Sequence, residues 1–116
     1  MHELGVVFHC IKEIKKVAEE NKVKEIDKVV IRLGEVSLVI PHLFEDCYKW
    51  AIKKEPVLMN SKLEIEIIKA ITHCESCHKD YETVKYAKVC PYCKSENTYL
   101  LQGNEVEIKE IQVKDN

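Results

Sequence analysis

Apolar residues recur every three or four positions near the start of the chain, which is the spacing of one face of an α-helix. Charged residues fill the opposite face between Leu4 and Lys22, and Asn21 is a stop signal near the end of this stretch. The predicted apolar stripe consists of Leu4, Val7, Phe8, Ile11, Ile14 and Ala18. The pattern therefore predicts an amphipathic first helix.

The next segment, IDKVVIRLGEV, is rich in β-branched residues and predicts a strand of about eight residues. Pro41 then begins a second predicted helix, because its fixed φ suits the first helical position and its missing N–H is not needed there. This helix closes near Pro56. Its predicted buried stripe contains Leu43, Phe44, Cys47, Tyr48, Ala51 and Ile52.

Two later segments alternate with the period of a strand. In SKLEIEIIKA the residues Leu63, Ile65 and Ile67 are predicted to face one way, and the charged residues between them to form a wet face. GNEVEIKEIQV repeats the pattern with a change of phase between Ile108 and Ile111, which indicates a β-bulge. The chain therefore predicts an α+β fold, with two helices packed on one face of a small three-stranded sheet.

The apolar periodicity fades between the last two predicted strands, where four cysteines arrive in pairs. This change of character predicts a separate insertion that spans residues 71–98. Residues 1–70 plus 99–116 then form the α+β domain that carries the sheet and both helices.

The four cysteines of the insertion form the strongest chemical signal. Cys74 and Cys77 are followed, after twelve residues, by Cys90 and Cys93. Each CxxC pair can present two thiolates to one ion, and an intervening hairpin would bring the pairs into a tetrahedral, all-sulfur site. This pattern predicts a zinc ribbon. Because four thiolates leave no open position, the zinc is expected to be structural and to drive folding of the segment.

The cysteine pattern allows three other interpretations. CESCH matches a c-type haem attachment pattern, but the second CxxC pair explains the first pair better. A rubredoxin-like iron site is chemically possible, although His78 and Lys94 follow the pairs where glycine would be expected. A nucleic-acid-binding ribbon is disfavoured, because its lysines are balanced by acids and four thiolates around a divalent ion add negative charge.

The composition of the whole chain narrows the class of protein. The 116 residues, with 46% hydrophobic content, only three Gly and three Pro, and a net charge of -2, predict one compact globular unit without a polyanion-binding face. No signal peptide or membrane-length apolar run is found, so a cytoplasmic protein is expected. No nucleophile and base stand at a motif spacing, so an enzyme is not expected.

The remaining cysteines and histidines are assigned by their positions in the predicted elements. Cys10 and Cys47 lie on or beside the apolar stripes of the two helices and are predicted to be core residues. His73 and His78 flank the zinc knuckles, where hydrogen bonding around the metal is expected. The other two internal histidines, His9 and His42, are predicted to lie at the surface.

The first three residues form a possible chelate. The amine of Met1, the backbone nitrogen of His2 and the His2 imidazole can close adjacent five- and six-membered rings, and the backbone nitrogen or carboxylate of Glu3 is within reach. A nitrogen-rich, square-planar set of this kind favours Ni(II) or Cu(II). The chemistry alone selects a class of metal and requires a free amino terminus.

MHE at the start, CESC and CPYC twelve residues apart, and GNEVEI after the ribbon together resemble the HypA/HybF family of hydrogenase nickel-insertion accessory proteins. The resemblance covers the whole chain. It implies a cytoplasmic nickel metallochaperone whose partners are a hydrogenase-maturation GTPase, the hydrogenase large subunit and, in some organisms, urease accessory proteins. Neither nucleic acid nor a membrane is an implied partner.

The resemblance also implies a role for each ligand residue. Met1 would give its amine to nickel, His2 its imidazole and backbone nitrogen, and Glu3 a further ligand or a contact that tunes release. The four cysteines would hold structural zinc. Some members carry a histidine after both cysteine pairs and are thought to alter zinc ligation with pH. Here Lys94 follows the second pair, so pH-dependent ligand exchange is not expected.

Overall fold

The computed structural model describes residues 3–114, which form helices and strands in the order predicted by the sequence, with additional short elements in the cysteine-rich segment. The helices are α1 (Glu3–Glu20), α2 (Pro41–Ala51), a 3-10 turn (Ile52–Lys54) and α3 (Thr83–Tyr86). The strands are β1 (Ile26–Gly34), β2 (Lys62–Ile68), β3 (Ile71–Cys74), β4 (Asp80–Glu82), β5 (Thr98–Gln102) and β6 (Val106–Val113).

Two three-stranded sheets form among the described residues, with strand orders β2-β1-β6 and β4-β3-β5. The chain divides into two compact units. The helical unit comprises Met1–Arg32, Val39–Glu66 and Glu107–Asn116, and the cysteine unit comprises Leu33–Leu38 and Ile67–Val106. The mixed helix-and-sheet class predicted from the sequence is confirmed. The predicted domain boundaries at residues 71 and 98 stay a prediction.

The buried face of α1 differs in part from the predicted stripe. Its buried residues are Val6, Val7, Cys10, Ile11, Ile14 and Ala18. Leu4 is 37% exposed and Phe8 is 48% exposed, so the prediction that both are buried was wrong. The Phe8 ring instead contacts Trp50 of α2 edge-on, with ring centroids 6.3 Å apart. The buried face of α1 includes Val6 and Cys10, which were not in the predicted stripe, and Phe8 lies at the edge of this face.

The end of α1 is a Schellman motif. The Val23 N–H donates to the Ala18 carbonyl at 2.8 Å, and the Lys22 N–H donates to the Glu19 carbonyl at 3.2 Å. Lys22 takes a left-handed φ of 56°, which is the conformation that this motif requires after a helix. The predicted stop at Asn21 is confirmed, since the helix ends one residue earlier at Glu20.

The second helix begins at Pro41, as predicted. It buries Phe44, Tyr48 and Ala51, while Leu43 is 38% exposed against the prediction. The Tyr48 hydroxyl and the Ser61 hydroxyl share a hydrogen bond of 2.6 Å, so the buried phenol is not left without a partner. Strand β1 supplies a nearly continuous run of buried residues, which consists of Ile26, Val29, Val30 and Ile31 in the helical unit and Leu33 in the cysteine unit.

The wet face of β2 carries ion pairs, such as Glu64 with Lys28 at 3.0 Å. The predicted phase of this strand fails at its end, because Ile67 is 54% exposed and Ile68 is 6% exposed. The Ile68 carbonyl accepts a hydrogen bond from the Glu35 N–H at 2.8 Å. Both residues belong to the cysteine unit, which begins at Ile67 in this part of the chain. In β6 the half-buried positions change phase after residue 108, as the sequence indicated.

The cysteine unit contains a close backbone crossing that only glycine permits. A Cβ atom on Gly34 would lie 2.1 Å from the Gly103 carbonyl oxygen, and Gly103 has a φ of 110°. The Val36 N–H donates to that carbonyl at 2.8 Å, and the Gly34 N–H donates to the Glu105 carbonyl at 2.7 Å. These contacts explain why the segment Leu33–Leu38 belongs to the cysteine unit.

Candidate functional site

The four predicted metal ligands come together in the cysteine unit. All four Sγ atoms of Cys74, Cys77, Cys90 and Cys93 lie within 4.8 Å of one another. The sulfurs of Cys74 and Cys93 are 3.6 Å apart, as are those of Cys77 and Cys90. A tetrahedral ion with metal–sulfur bonds of about 2.3 Å requires sulfur separations of about 3.8 Å. The cluster therefore fits a metal ion bound by four thiolates.

The two CxxC segments have the same local backbone. The Cys74 N–H donates to the Lys79 carbonyl at 3.0 Å, and the His78 N–H donates to the Cys74 carbonyl at 2.9 Å. In the second segment the Cys90 N–H donates to the Ser95 carbonyl at 3.0 Å, and the Lys94 N–H donates to the Cys90 carbonyl at 2.9 Å. The residue after each pair is left-handed, with a φ of 61° at His78 and 64° at Lys94. Each segment is therefore a knuckle that turns its two sulfurs toward one point, although neither has glycine at the left-handed position.

Backbone hydrogen bonds within each knuckle lower the pKa of its first cysteine. A hydrogen bond from the backbone of Cys77 lowers the pKa of Cys74 to about 6. At Cys90, burial acts to raise the pKa, but backbone hydrogen bonds from Cys93 and Tyr92 bring it below the ordinary value. Burial raises the pKa of Cys77 to about 12. The first cysteine of each knuckle thus favours the anionic form that binds metal.

The metal ligands are also the core of this part of the molecule. Cys74 and Cys90 have no exposed surface, and they pack with Tyr81, which is 5% exposed, while Cys77 packs against this cluster. The Tyr81 hydroxyl donates to the Ala87 carbonyl at 2.7 Å. Because so few apolar side chains are buried here, bound metal would contribute a large share of the stability of this unit.

The histidines beside the knuckles have partners other than the sulfurs. His73 Nδ1 is 2.6 Å from Asp80 Oδ1, and its ring lies 5.4 Å from the ring of Tyr99 and 6.2 Å from that of His78. His78 is exposed. The structure thus gives His73 a carboxylate partner on the neighbouring strand β4.

The other predicted site is at the amino terminus. Met1 and His2 lie outside the described residues, so their roles stay a prediction. Glu3 is the first residue of α1, and its carboxylate Oε1 accepts a hydrogen bond from the Ile40 N–H at 3.4 Å. Sequence reasoning missed Ile40, because an apolar side chain gives no signal that its backbone amide meets a residue so distant in sequence.

The remaining cysteines and histidines that the structure describes in the helical unit are not gathered into a metal site. Cys10 is buried, and burial together with the nearby Glu13 carboxylate raises its pKa to about 11. Cys47 is half-buried, and His9 and His42 are exposed. Among residues 3–114, the four cysteines of the knuckles are the only cluster of three or more metal-binding side chains.

No helix within the described part of the chain is long and apolar enough to cross a membrane. The fold and site define a small α+β protein with a four-cysteine metal centre. Residues 1–113 match the family model described as "Hydrogenase/urease nickel incorporation, metallochaperone, hypA". The chain belongs to this HypA family, and the resemblance found in the sequence is confirmed.

Similar proteins cover nearly the same length. "Hydrogenase maturation factor HypA" of Aquifex aeolicus (strain VF5) is 33% identical over 113 residues, which are 97% of each chain. The protein of the same name from Dehalococcoides mccartyi (strain ATCC BAA-2266 / KCTC 15142 / 195) is 30% identical over 115 residues, 99% of this chain and 96% of the relative. The solution structure of the Ni metallochaperone HypA from Helicobacter pylori is 27% identical, with a TM-score of 0.75 and 97% of each chain covered.

These matches define the class of activity. The chain is a member of a nickel metallochaperone family that serves hydrogenase and urease nickel incorporation, and this family is not one of catalytic enzymes. Its role in hydrogenase maturation implies contact with the maturation machinery.

Proposed function

We propose that this protein binds one Ni(II) through Met1, His2 and Glu3 and delivers it to the active site of [NiFe]-hydrogenase during assembly. In an organism with urease, the same cargo would serve that enzyme. The observation that carries the proposal is the family match, which begins at residue 1 and so includes all three residues. The task of that family is nickel incorporation into hydrogenase and urease.

The chemistry of the three residues supports this assignment. The Met1 amine, the His2 backbone nitrogen and the His2 imidazole supply three nitrogen donors in adjacent chelate rings, and Glu3 supplies the fourth donor. Nitrogen-rich, planar sets are preferred by Ni(II) over Zn(II), Mg(II) or Ca(II). A site at a chain end also suits a carrier, because an acceptor can replace its ligands one at a time.

We assign the four cysteines to a structural Zn(II) that is not passed on. All-sulfur tetrahedral sites are typical of structural zinc, and their closed coordination leaves no position for an incoming acceptor. The buried sulfurs of Cys74 and Cys90 support this separation of roles, because releasing their ion would break the small core around Tyr81.

The partners follow from the proposed task. We expect binding to the GTPase of hydrogenase maturation and to the hydrogenase large subunit, with urease accessory proteins as further acceptors where they occur. A cytoplasmic location is proposed, since none of the six cysteines forms a disulfide bond, as is usual in a reducing compartment.

The test of the nickel site is calorimetric titration with Ni(II), using protein with a native, untagged amino terminus. Wild type should bind about one Ni(II) per chain, and His2→Ala or acetylation of the amino terminus should abolish this binding while the zinc content stays at about one. His9→Ala is the matched control, because His9 is an exposed histidine on α1. Unchanged nickel affinity in both His2→Ala and the acetylated protein would rule out this ligand set.

A further inference from the structure

The four ligand sulfurs of the cysteine unit differ in their access to solvent. Cys74 and Cys90, the first cysteine of each knuckle, have no exposed surface. Cys77 is half-buried, and Cys93 is exposed. A dissolved oxidant reaches a thiolate through solvent, so accessible thiolates are oxidised before buried ones. Cys93 is therefore the ligand that an oxidant meets first.

Hydrogen bonds to the sulfurs differ in the same direction. The sulfurs of the two buried cysteines, Cys74 and Cys90, each accept two hydrogen bonds from the backbone of their own knuckle. The Cys93 sulfur accepts one backbone hydrogen bond, from Ser95. Each such bond stabilises the negative charge on sulfur, and the intrinsic nucleophilicity of a thiolate falls as its charge is stabilised. The exposed sulfur thus keeps more of its nucleophilicity than the two buried ones.

A second thiol lies beside the exposed one. Cys74 Sγ is 3.6 Å from Cys93 Sγ, although the two cysteines belong to different knuckles. A disulfide bond is about 2.05 Å long, so a small approach of the two sulfurs would join them. An accessible thiolate with a second cysteine in reach is typical of redox-sensitive sites. The other two cysteines, buried Cys10 and half-buried Cys47, lie outside this cluster.

We propose that Cys93 is an oxidation site, at which hydrogen peroxide starts the formation of a Cys74–Cys93 disulfide that releases the zinc. This inference rests on the proposed function, which assigns zinc to the four cysteines. In the first step the Cys93 sulfur attacks one peroxide oxygen. An S–O bond forms, the O–O bond breaks and hydroxide leaves, so the sulfur loses two electrons and the peroxide gains them. In the second step the Cys74 thiolate attacks the Cys93 sulfur, an S–S bond forms, and the S–O bond breaks as a second hydroxide leaves.

The disulfide removes two of the four ligands from the zinc site. Cys77 and Cys90 alone cannot complete a tetrahedral all-sulfur site, so the ion is lost. The small core of the cysteine unit consists of the ligand cysteines and Tyr81, and it therefore loses the ion that stabilises it. The helical unit has an apolar core of its own and stays folded. Thiol–disulfide exchange with a thiol reductant returns both thiols, so the loss is reversible.

The test is treatment of the zinc-loaded full-length chain with hydrogen peroxide after reductant has been removed. A colorimetric chelator should detect release of about one zinc ion per chain, with formation of about one disulfide. Mass spectrometry of peptides, with a sulfenic-acid trap present at early times, should locate the trapped group on Cys93 and the disulfide between Cys74 and Cys93. Dithiothreitol plus Zn(II) should restore about one zinc ion per chain.

Replacing a ligand would itself remove the metal, so the matched control is Cys47→Ala, which removes a half-buried thiol outside the cluster and should release zinc at the wild-type rate. Zinc that stays bound while peroxide is consumed would overturn the inference, as would first trapping at another cysteine, a disulfide within one knuckle, or slower release from Cys47→Ala. Absence of zinc from the untreated protein would instead overturn the zinc assignment of the proposed function. The disulfide map of that protein would still decide whether Cys93 pairs with Cys74.

Discussion

The helical unit and the cysteine unit are stabilised in different ways. The helical unit buries an extensive apolar core from α1, α2 and β1, in which Val7, Ile14, Phe44 and Ile31 have no exposed surface. The buried cluster around the knuckles of the cysteine unit consists only of the side chains of Cys74, Cys90 and Tyr81, with Cys77 packed against it. We therefore expect hydrophobic burial to stabilise most of the helical unit and a bound ion to contribute much of the stability around the four cysteines.

This difference explains how one small chain could deliver one metal ion, the proposed nickel, and retain another, the proposed zinc. A unit that folds without metal can lose and regain a cargo ion at its chain end without unfolding. A unit whose core contains the metal ligands cannot release its ion in the same way. The proposed placement of nickel at the amino terminus and zinc in the knuckles follows this division.

The largest expected effect is loss of the knuckle metal. Cys74→Ser should reduce the zinc content from about one per chain to near zero, at a cost to the cysteine unit on the order of 10 kcal/mol. NMR should show loss of dispersed signals from residues 67–106, while those of α1 and α2 persist. Cys47→Ala is the control, since this half-buried thiol lies outside the cluster. Loss of the helical signals in Cys74→Ser would contradict the independence of the two units.

The next effect is a cavity in the apolar core. Phe44→Ala should destabilise the helical unit by about 3–5 kcal/mol, because the fully buried ring leaves a void that its neighbours cannot fill. Chemical denaturation followed by far-UV circular dichroism measures the loss, and the zinc content should not change. Phe8→Ala is the matched control, and its half-exposed ring should cost less. Equal losses in the two variants would contradict the burial of Phe44 in the core and the position of Phe8 at its edge.

The smallest effect concerns left-handed residues in each unit. Lys22→Gly should stabilise the helical unit, and Lys94→Gly the cysteine unit, by about 0.5–1 kcal/mol each, because glycine adopts a positive φ without strain. Thermal unfolding should detect the first change, and zinc retention against a chelator the second. A change in zinc retention caused by Lys22→Gly would show that the two units are energetically coupled.

Local patterns were enough to predict much of the protein. Apolar spacing predicted both helices, Pro41 marked the start of the second, and the two CxxC pairs predicted the metal cluster. These features depend on residues that are close in sequence, since helical periodicity and knuckle geometry are set within a few positions. The resemblance built on MHE, CESC and CPYC identified the family, while nickel ligation by Met1 and His2 stays a prediction.

The amino-acid sequence by itself determined the order of the main elements, the class of fold and the four cysteines whose sulfurs come together in one cluster. Only the tertiary structure decided that Phe8 is exposed, that Ile68 and not Ile67 is buried, and that Glu3 meets the amide of Ile40. The reason is physical: burial at the margin of a stripe, and a hydrogen bond to a backbone group 37 residues away, depend on which elements pack together. Side-chain periodicity within one element carries no information about that packing.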